Sequence, residues 1–114
     1  MEIQTMMIGL WIDDIRDFPQ FIYKNTNVKW MRVRSVNEAK YYIQYMESIE
    51  CPYDLISTDH DAGDYASDGG DYIKLLDWLE ETGRNYPIRI HSMNSVGVAN
   101  MRAIIQRNGW EEVK

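Results

Sequence analysis

Acidic and imidazole side chains are concentrated directly after three short apolar runs of the sequence. An acid pair follows residues 6–12, the triplet Asp-His-Asp follows residues 53–58, and His-Ser-Met-Asn follows residues 87–90. Both histidines of the chain belong to these groups. The residues singled out as candidates for a site are Asp13, Asp14, Arg16, Asp59, His60, Asp61, His91, Ser92, Asn94 and Gly97. If the three runs are neighbouring strands, one edge of a sheet carries all of these groups.

The carboxylates of Asp13, Asp14 and Asp59 indicate a site for a divalent cation. Like charges brought together repel each other, so their ionised form needs a counter-ion. Clustered carboxylate oxygens are ligands that suit Mg²⁺ or another hard divalent ion. An aspartate after a strand is also a common turn residue or helix cap. We expect a divalent cation, most simply Mg²⁺, as the cofactor.

His60 and His91 are candidate catalytic residues for proton transfer. On adjacent strand ends two imidazoles can face one another across a small pocket, where one abstracts a proton and the other donates one. That pair of steps is what opening a cyclic phosphodiester requires. Arg16, or backbone amides at a helix N-terminus near residues 95–97, could hold a phosphate. A lone histidine beside a strand is nevertheless more often a hydrogen-bonded structural residue.

The remaining candidates would support these roles. Asp61 could orient a histidine, while Ser92, Asn94 and Gly97 are candidates for contacts with the phosphate.

Five short segments are predicted as the strands that position these residues. The first is apolar on both faces, as expected for a central strand covered on both sides. Residues 29–34 alternate polar and apolar side chains, which is typical of a half-buried or edge strand. The predicted strands span residues 6–12, 29–34, 53–58, 87–90 and 110–113.

Amphipathic segments separate the predicted strands. Ser35 and Glu38 have the spacing of a capping box at the start of a helix. Asp68 and Ser95 are predicted to cap two further helices, with residues 60–69 as a loop. The predicted helices span residues 19–25, 35–50, 68–81 and 95–108.

This alternation predicts an α/β fold with right-handed crossovers and helices on both faces of a parallel sheet. We expect a flavodoxin-like three-layer sandwich, with a five-stranded parallel sheet in the order 2-1-3-4-5. It forms a single domain over residues 1–114, with no helix after the last strand. In such sheets ligands bind beyond the carboxyl ends of the strands, where all three polar groups fall.

The negative charge of the chain is local. The sequence has 18 acidic and 12 basic side chains, a formal charge of −6, and residues 54–71 hold six aspartates without Lys or Arg. Such a cluster indicates a site. An acidic chain without a basic block is a poor candidate for binding long nucleic acids or anionic membranes. The single cysteine allows no intramolecular disulfide, and no signal peptide or membrane span is evident, so we expect a cytoplasmic protein.

Three segments, LWIDDIR, DLISTD and PIRIH, resemble in this order a response-regulator receiver domain. In receivers the acid pair binds Mg²⁺ and the aspartate ending the third strand accepts phosphate, positions that Asp13, Asp14 and Asp59 match. His91 stands where receivers have Thr or Ser. The receiver lysine after the fifth strand has no clear match, Lys114 being the nearest, and the final receiver helix is missing.

The segments DDIR, TDHDAG and HSMNSVGVANM closely resemble the cyclic-phosphate processing receiver-like family. Its pattern is DD-x-R, then L-D-H-D-L-G, then H-S-x-N-x-x-G-x-x-x-M. Thr58 and Ala62 replace the two leucines of that pattern. The resemblance spans nearly the whole chain and implies an activity on cyclic phosphates in which both histidines are central.

The leading hypothesis is a phosphoesterase with His60 and His91 as acid and base. Its substrate would be a small nucleotide or a nucleic-acid terminus, such as a cyclic nucleotide or an RNA 2′,3′-cyclic phosphate end. The alternative is a non-catalytic degenerate receiver that binds a metal, a nucleotide signal or a protein partner. A phosphoacceptor receiver using Asp59 is a third hypothesis, against which the missing lysine and last helix argue. The sequence does not indicate an oligomeric state.

Overall fold

The fold is an α/β arrangement built on a parallel sheet. A computed structural model describes residues 6–15 and 28–114. Its strands are β1 (Met7–Ile12), β2 (Val28–Val33), β3 (Leu55–Thr58) and β4 (Ile88–Ile90). They lie in the order β2-β1-β3-β4, and every neighbouring pair is parallel. The predicted α/β class and the order of the first four strands are confirmed.

The predicted fifth strand is reduced to one bridge beside β4. Ile88 pairs with Glu112 in parallel, its N–H donating to the Glu111 carbonyl at 2.9 Å and its carbonyl accepting from Val113 at 2.8 Å. Within the described residues, the C-terminal segment makes these two backbone hydrogen bonds at Ile88, the first residue of β4, and a single bridge is too short to form a strand. The prediction of a five-stranded sheet in the order 2-1-3-4-5 was therefore wrong: the described residues form four strands and a bridge.

Among the described residues, three α-helices and one short 3₁₀ helix follow the strands. The helices are α1 (Val36–Ser48), α2 (Ile73–Glu81) and α3 (Ser95–Asn108), and the 3₁₀ helix spans Gly63–Ser67 within the predicted loop. The helix predicted at residues 19–25 lies outside the described residues. None of the helices in the described ranges is long and apolar enough to cross a membrane.

Of the three predicted helix caps, the structure confirms Ser35 and corrects Asp68 and Ser95. Ser35 Oγ accepts from the Glu38 N–H at 3.0 Å, as the capping box predicts. Asp68 does not begin α2; its carboxylate instead accepts from the Ser35 hydroxyl at 2.6 Å and braces the start of α1. The N-cap of α3 is Asn94 and not Ser95, because the Asn94 side chain accepts from the Gly97 N–H.

One face of the sheet, here called the helix face, packs against all three helices. Its strand residues include Leu10, Ile12, Ile56 and Ile88, and all are fully buried. The opposite face, here called the tryptophan face, carries Trp11, Trp30 and Leu55. Each helix of the described ranges contributes to the core of the helix face. Alternate positions along each strand thus lie on opposite faces.

Candidate active site at the carboxyl edge of the sheet

Three carboxylates meet where β1 and β3 end. Backbone pairing continues past both strands, because the Asp13 N–H donates to Val33 and the Asp59 N–H donates to Ile12. One oxygen from each of Asp13, Asp14 and Asp59 lies within 4.8 Å of the others. Asp13 is only 1% exposed. The structure therefore brings together the three aspartates predicted as metal ligands.

The surroundings of Asp14 disfavour the ionised form of its carboxyl group. Burial raises its pKa, and the neighbouring charges of Asp13 and Asp59 raise it further. The backbone of Gly63 closes over this carboxylate with a φ of +55°, and a side chain at that position would collide with Asp14 Oδ2. Sequence reasoning missed Gly63, although it is the glycine of the TDHDAG segment.

The donor set of this cluster fits a hard divalent cation. It offers only carboxylate oxygens, one of them from a buried residue, and their mutual repulsion is visible at Asp14. Oxygen ligands of this kind suit Mg²⁺. Acidic groups also cluster without an ion, so the cation belongs to the proposal below.

His91 lies on the tryptophan face and is hydrogen-bonded at both ring nitrogens. Its Nε2 is 3.1 Å from Asp13 Oδ2, and its Nδ1 is 2.8 Å from Ser57 Oγ. The imidazole lies flat on the indole of Trp11, with ring centroids 3.8 Å apart and planes 6° from parallel. Its side chain is 9% exposed. His91 thus reaches across β3 from the end of β4 to the acid that follows β1.

His60 lies against the start of α3, a helix that packs on the helix face. Its Nδ1 is 2.8 Å from Asp61 Oδ1 and 3.4 Å from Asn94 Nδ2. The hydrogen bond from His60 lowers the pKa of Asp61, which stays ionised. The ring packs directly on Gly97, where any Cβ would overlap it. The two histidines therefore occupy different surroundings on either side of the strand ends.

The supporting residues shape the loop between β4 and α3. Ser92 Oγ accepts from the Asn94 N–H at 3.1 Å, and Asn94 Oδ1 accepts from the Gly97 N–H at 2.9 Å. The Gly97 amide, predicted to contact phosphate, is therefore already engaged by the helix cap. Arg16 lies outside the described residues.

Sequence reasoning missed three further residues at this edge. Ser57 and Trp11 hold His91, and both were assigned to strands without any further role. Tyr72 is fully buried, its N–H donates to the His60 carbonyl, and its hydroxyl donates to the Arg34 carbonyl at 2.6 Å. Burial and then the nearby aspartates raise the pKa of Tyr72 well above its usual value. The only sequence signal for Ser57 was a polar residue directly after the apolar pair Leu55 and Ile56 of a short strand.

Comparisons with known proteins identify the family through its sequence profile. No curated protein matches the chain. The profile of the cyclic-phosphate processing receiver domain matches residues 8–107. That range contains the carboxylate cluster, both histidines and the loop that joins β4 to α3. The chain therefore belongs to the family of cyclic-phosphate processing receiver domains.

Proposed function

We propose that this domain is a phosphoesterase that opens a cyclic phosphate. A water molecule attacks phosphorus, one ester bond of the ring breaks, and a phosphate monoester results. The proton that water loses goes to a base of the protein, and the leaving oxygen takes a proton from solvent. The observation that supports this proposal most directly is a histidine, His60, that is oriented by its carboxylate partner Asp61 and whose backbone N–H donates to Asp59 of the carboxylate cluster at 2.7 Å.

His60 is the residue that we assign as the base. Its Nδ1–H donates to the ionised Asp61, which leaves the lone pair of Nε2 to accept a proton. Within residues 6–15 and 28–114, no group is hydrogen-bonded to that Nε2. A carboxylate that fixes the tautomer of a catalytic imidazole is a recurring arrangement in hydrolases. Of the predicted acid and base pair, these contacts favour His60 for proton transfer.

Asp13, Asp14 and Asp59 are the residues that would hold a Mg²⁺ ion. A bound divalent cation would neutralise the charge that develops on the phosphate oxygens. The protein's own contribution is to keep the three carboxylates together and partly buried, as the raised pKa of Asp14 indicates.

We propose a small nucleotide, or the end of an RNA chain, as the substrate. Three large apolar side chains beside the site are unusually exposed: Met93 at 92%, Ile15 at 80% and Val96 at 71%. Met93 precedes Asn94 and Val96 precedes Gly97, so both flank the residues that touch His60. They offer apolar surface to the base of a nucleotide whose phosphate lies at the carboxylates. The acidic surroundings disfavour a long polyanion.

The proposal is tested by incubating the protein with 2′,3′- and 3′,5′-cyclic nucleotides, with and without Mg²⁺. We expect nucleoside monophosphate as the product. His60→Ala should lower kcat by about 10² to 10⁴, the usual contribution of a general base. Asp64→Asn is the matched control, since Asp64 is exposed in the same acidic segment and should leave kcat unchanged.

Absence of turnover on every cyclic nucleotide would overturn the proposal. Binding of a cyclic nucleotide without product would favour the alternative of a degenerate receiver that only binds its ligand. Full activity of the His60→Ala variant would remove that residue from the mechanism.

A further inference from the structure

We propose that His91 is a positioning residue that fixes Asp13, and that it exchanges no proton with the substrate. The inference rests on the phosphoesterase function proposed above and changes the role of one of its two histidines. Both ring nitrogens of His91 already have protein partners, Asp13 at 3.1 Å and Ser57 at 2.8 Å. A substrate could reach either nitrogen only by displacing one of these partners.

Burial strengthens this argument. Asp13 is 1% exposed, Ser57 is fully buried, and His91 is covered on one face by the indole of Trp11. A hydrogen bond is stronger in such surroundings than in water, and a buried polar group left without its partner is costly. The arrangement therefore resists the ring movements that proton transfer to a substrate would require.

The hydrogen atoms shared between Asp13, His91 and Ser57 can be assigned to their donors in one simple way. An ionised Asp13 can only accept, so His91 Nε2 carries the hydrogen of their shared bond. Nδ1 lies 2.8 Å from the Ser57 hydroxyl, and in the Nε2–H tautomer it accepts from that hydroxyl. Asp13 Oδ1 also accepts from the Ile15 N–H at 3.0 Å, so each carboxylate oxygen has a donor of its own. His91 and Ile15 together set the orientation of the Asp13 carboxylate.

This role resembles the outer partners of metal ligands, which fix a ligand without touching the ion. A carboxylate oxygen has more than one acceptor position, so a hydrogen-bonded Asp13 can still bind a cation. His60 differs from His91 in this respect, because its hydrogen-bond partner Asp61 lies outside the carboxylate cluster.

Glutamine at position 91 separates positioning from proton transfer. Its side-chain amide can donate to Asp13 from about the place of Nε2, but it cannot take up or release a proton near neutral pH. We expect His91→Gln to keep Mg²⁺ affinity within about threefold, and His91→Ala to weaken it about 10- to 100-fold, as for other outer partners of metal ligands. A proton-transfer residue would instead lose activity equally in both variants, with unchanged Mg²⁺ affinity.

The measurement is calorimetric titration of the full chain with Mg²⁺ alone. His60→Gln and His60→Ala are the matched controls, and both should lose activity and keep the Mg²⁺ affinity of the unmodified chain. If His91→Ala fails to fold, Ser57→Ala takes its place, because it removes only the partner of Nδ1 and should weaken Mg²⁺ binding several-fold. A nitrogen NMR spectrum should show His91 of the unmodified protein as the Nε2–H tautomer.

The inference is overturned if His91→Gln binds Mg²⁺ as weakly as His91→Ala, or if the unmodified chain binds no Mg²⁺. The Nδ1–H tautomer at His91 would overturn it as well. A protein that binds Mg²⁺ with this pattern but turns over no cyclic phosphate contradicts the proposed function and leaves the role of His91 standing.

Discussion

At the scale of single residues, close contacts between backbone and side chain define the site. Gly63 lies over Asp14, and Gly97 lies under the ring of His60, each at a distance that leaves no room for a Cβ atom. Asp14 and the His60 ring thus owe their positions to the missing side chains at Gly63 and Gly97 as well as to hydrogen bonds. Because a Cβ atom fits at neither position, the geometry of the site requires glycine at both.

Gly97→Ala tests this requirement inside a helix. Alanine should favour helix α3 by about 1 kcal/mol relative to glycine, whereas forcing a methyl group into a filled space costs about 1–3 kcal/mol. We expect a net destabilisation of about 1 kcal/mol in urea unfolding, and at least a tenfold loss of kcat because the His60 ring must move.

Asn100→Ala is the control for this prediction. Asn100 is exposed on the same helix, so the substitution should stabilise the protein by a few tenths of a kcal/mol through helix propensity alone. A Gly97→Ala protein with unchanged kcat would show that the contact with His60 does not matter for the site.

At the scale of elements, ion pairs between helices hold the layer that covers the sheet. Glu80 on α2 accepts two hydrogen bonds from the Arg107 guanidinium of α3, at 2.7 and 2.6 Å, and one from Asn108 at 2.6 Å. A second bidentate pair joins Arg84, after α2, to Glu47 on α1. The helices are therefore tied to one another in chain order along the helix face.

The Glu80 pair predicts a specific pH dependence. Arg107 and then Asn108 lower the pKa of Glu80 to about 2, from a usual value of 4.5. A carboxylate with a lowered pKa stabilises the fold fully above its unfolded value, and this contribution disappears as the pH falls from about 4.5 to about 2. We expect Glu80→Gln to lower Tm at pH 7 and to converge with the unmodified protein near pH 2.

Thermal unfolding between pH 2 and pH 7 measures this effect, with Glu81→Gln as the control at the exposed neighbouring position. A constant difference in Tm between Glu80→Gln and the unmodified protein across that range would contradict the assignment to ionised Glu80.

At the scale of the whole molecule, the acidic segment of residues 54–71 serves several purposes. Its six aspartates are close together in the sequence, but only Asp59 and Asp61 lie at the site. Asp68 braces α1, and Asp71 accepts from the Ala62 N–H at 3.1 Å. Asp54 accepts from the Ile8 N–H at the other end of the sheet. The chain as a whole carries a formal charge of −6, whereas the substrate that we propose is an anion.

The negative charge of the chain predicts a preference for short substrates over long ones, and added salt should weaken this preference. We expect kcat/KM at low salt to be higher for a 2′,3′-cyclic mononucleotide than for an oligonucleotide ending in the same group. The difference should shrink between about 20 and 200 mM salt, because screening reduces repulsion between the acidic surface and the extra phosphates. An oligonucleotide that reacts faster at low salt would contradict the prediction and indicate a contact that attracts the chain.

The strand ends and the grouping of the three aspartates could be predicted from the sequence, because apolar runs and the chain order of parallel strands determine them. The partners of His91 could not. Its ring crosses β3 to reach Asp13, and a contact across an intervening strand leaves no periodic pattern in the sequence. The fifth strand was overestimated because the residue pattern of segment 110–113 is typical of a strand, whereas a ladder requires successive backbone hydrogen bonds to β4, which that pattern does not reveal.

The stacking of His91 on Trp11 has a spectroscopic consequence. With ring centroids 3.8 Å apart and planes 6° from parallel, the imidazole lies within the ring current of the indole. The carbon-bound ring protons of His91 are therefore expected to resonate upfield of those of an unstacked histidine, and to lose this shift when the ring leaves Trp11. Their chemical shifts report in solution whether the partner of Asp13 is in place.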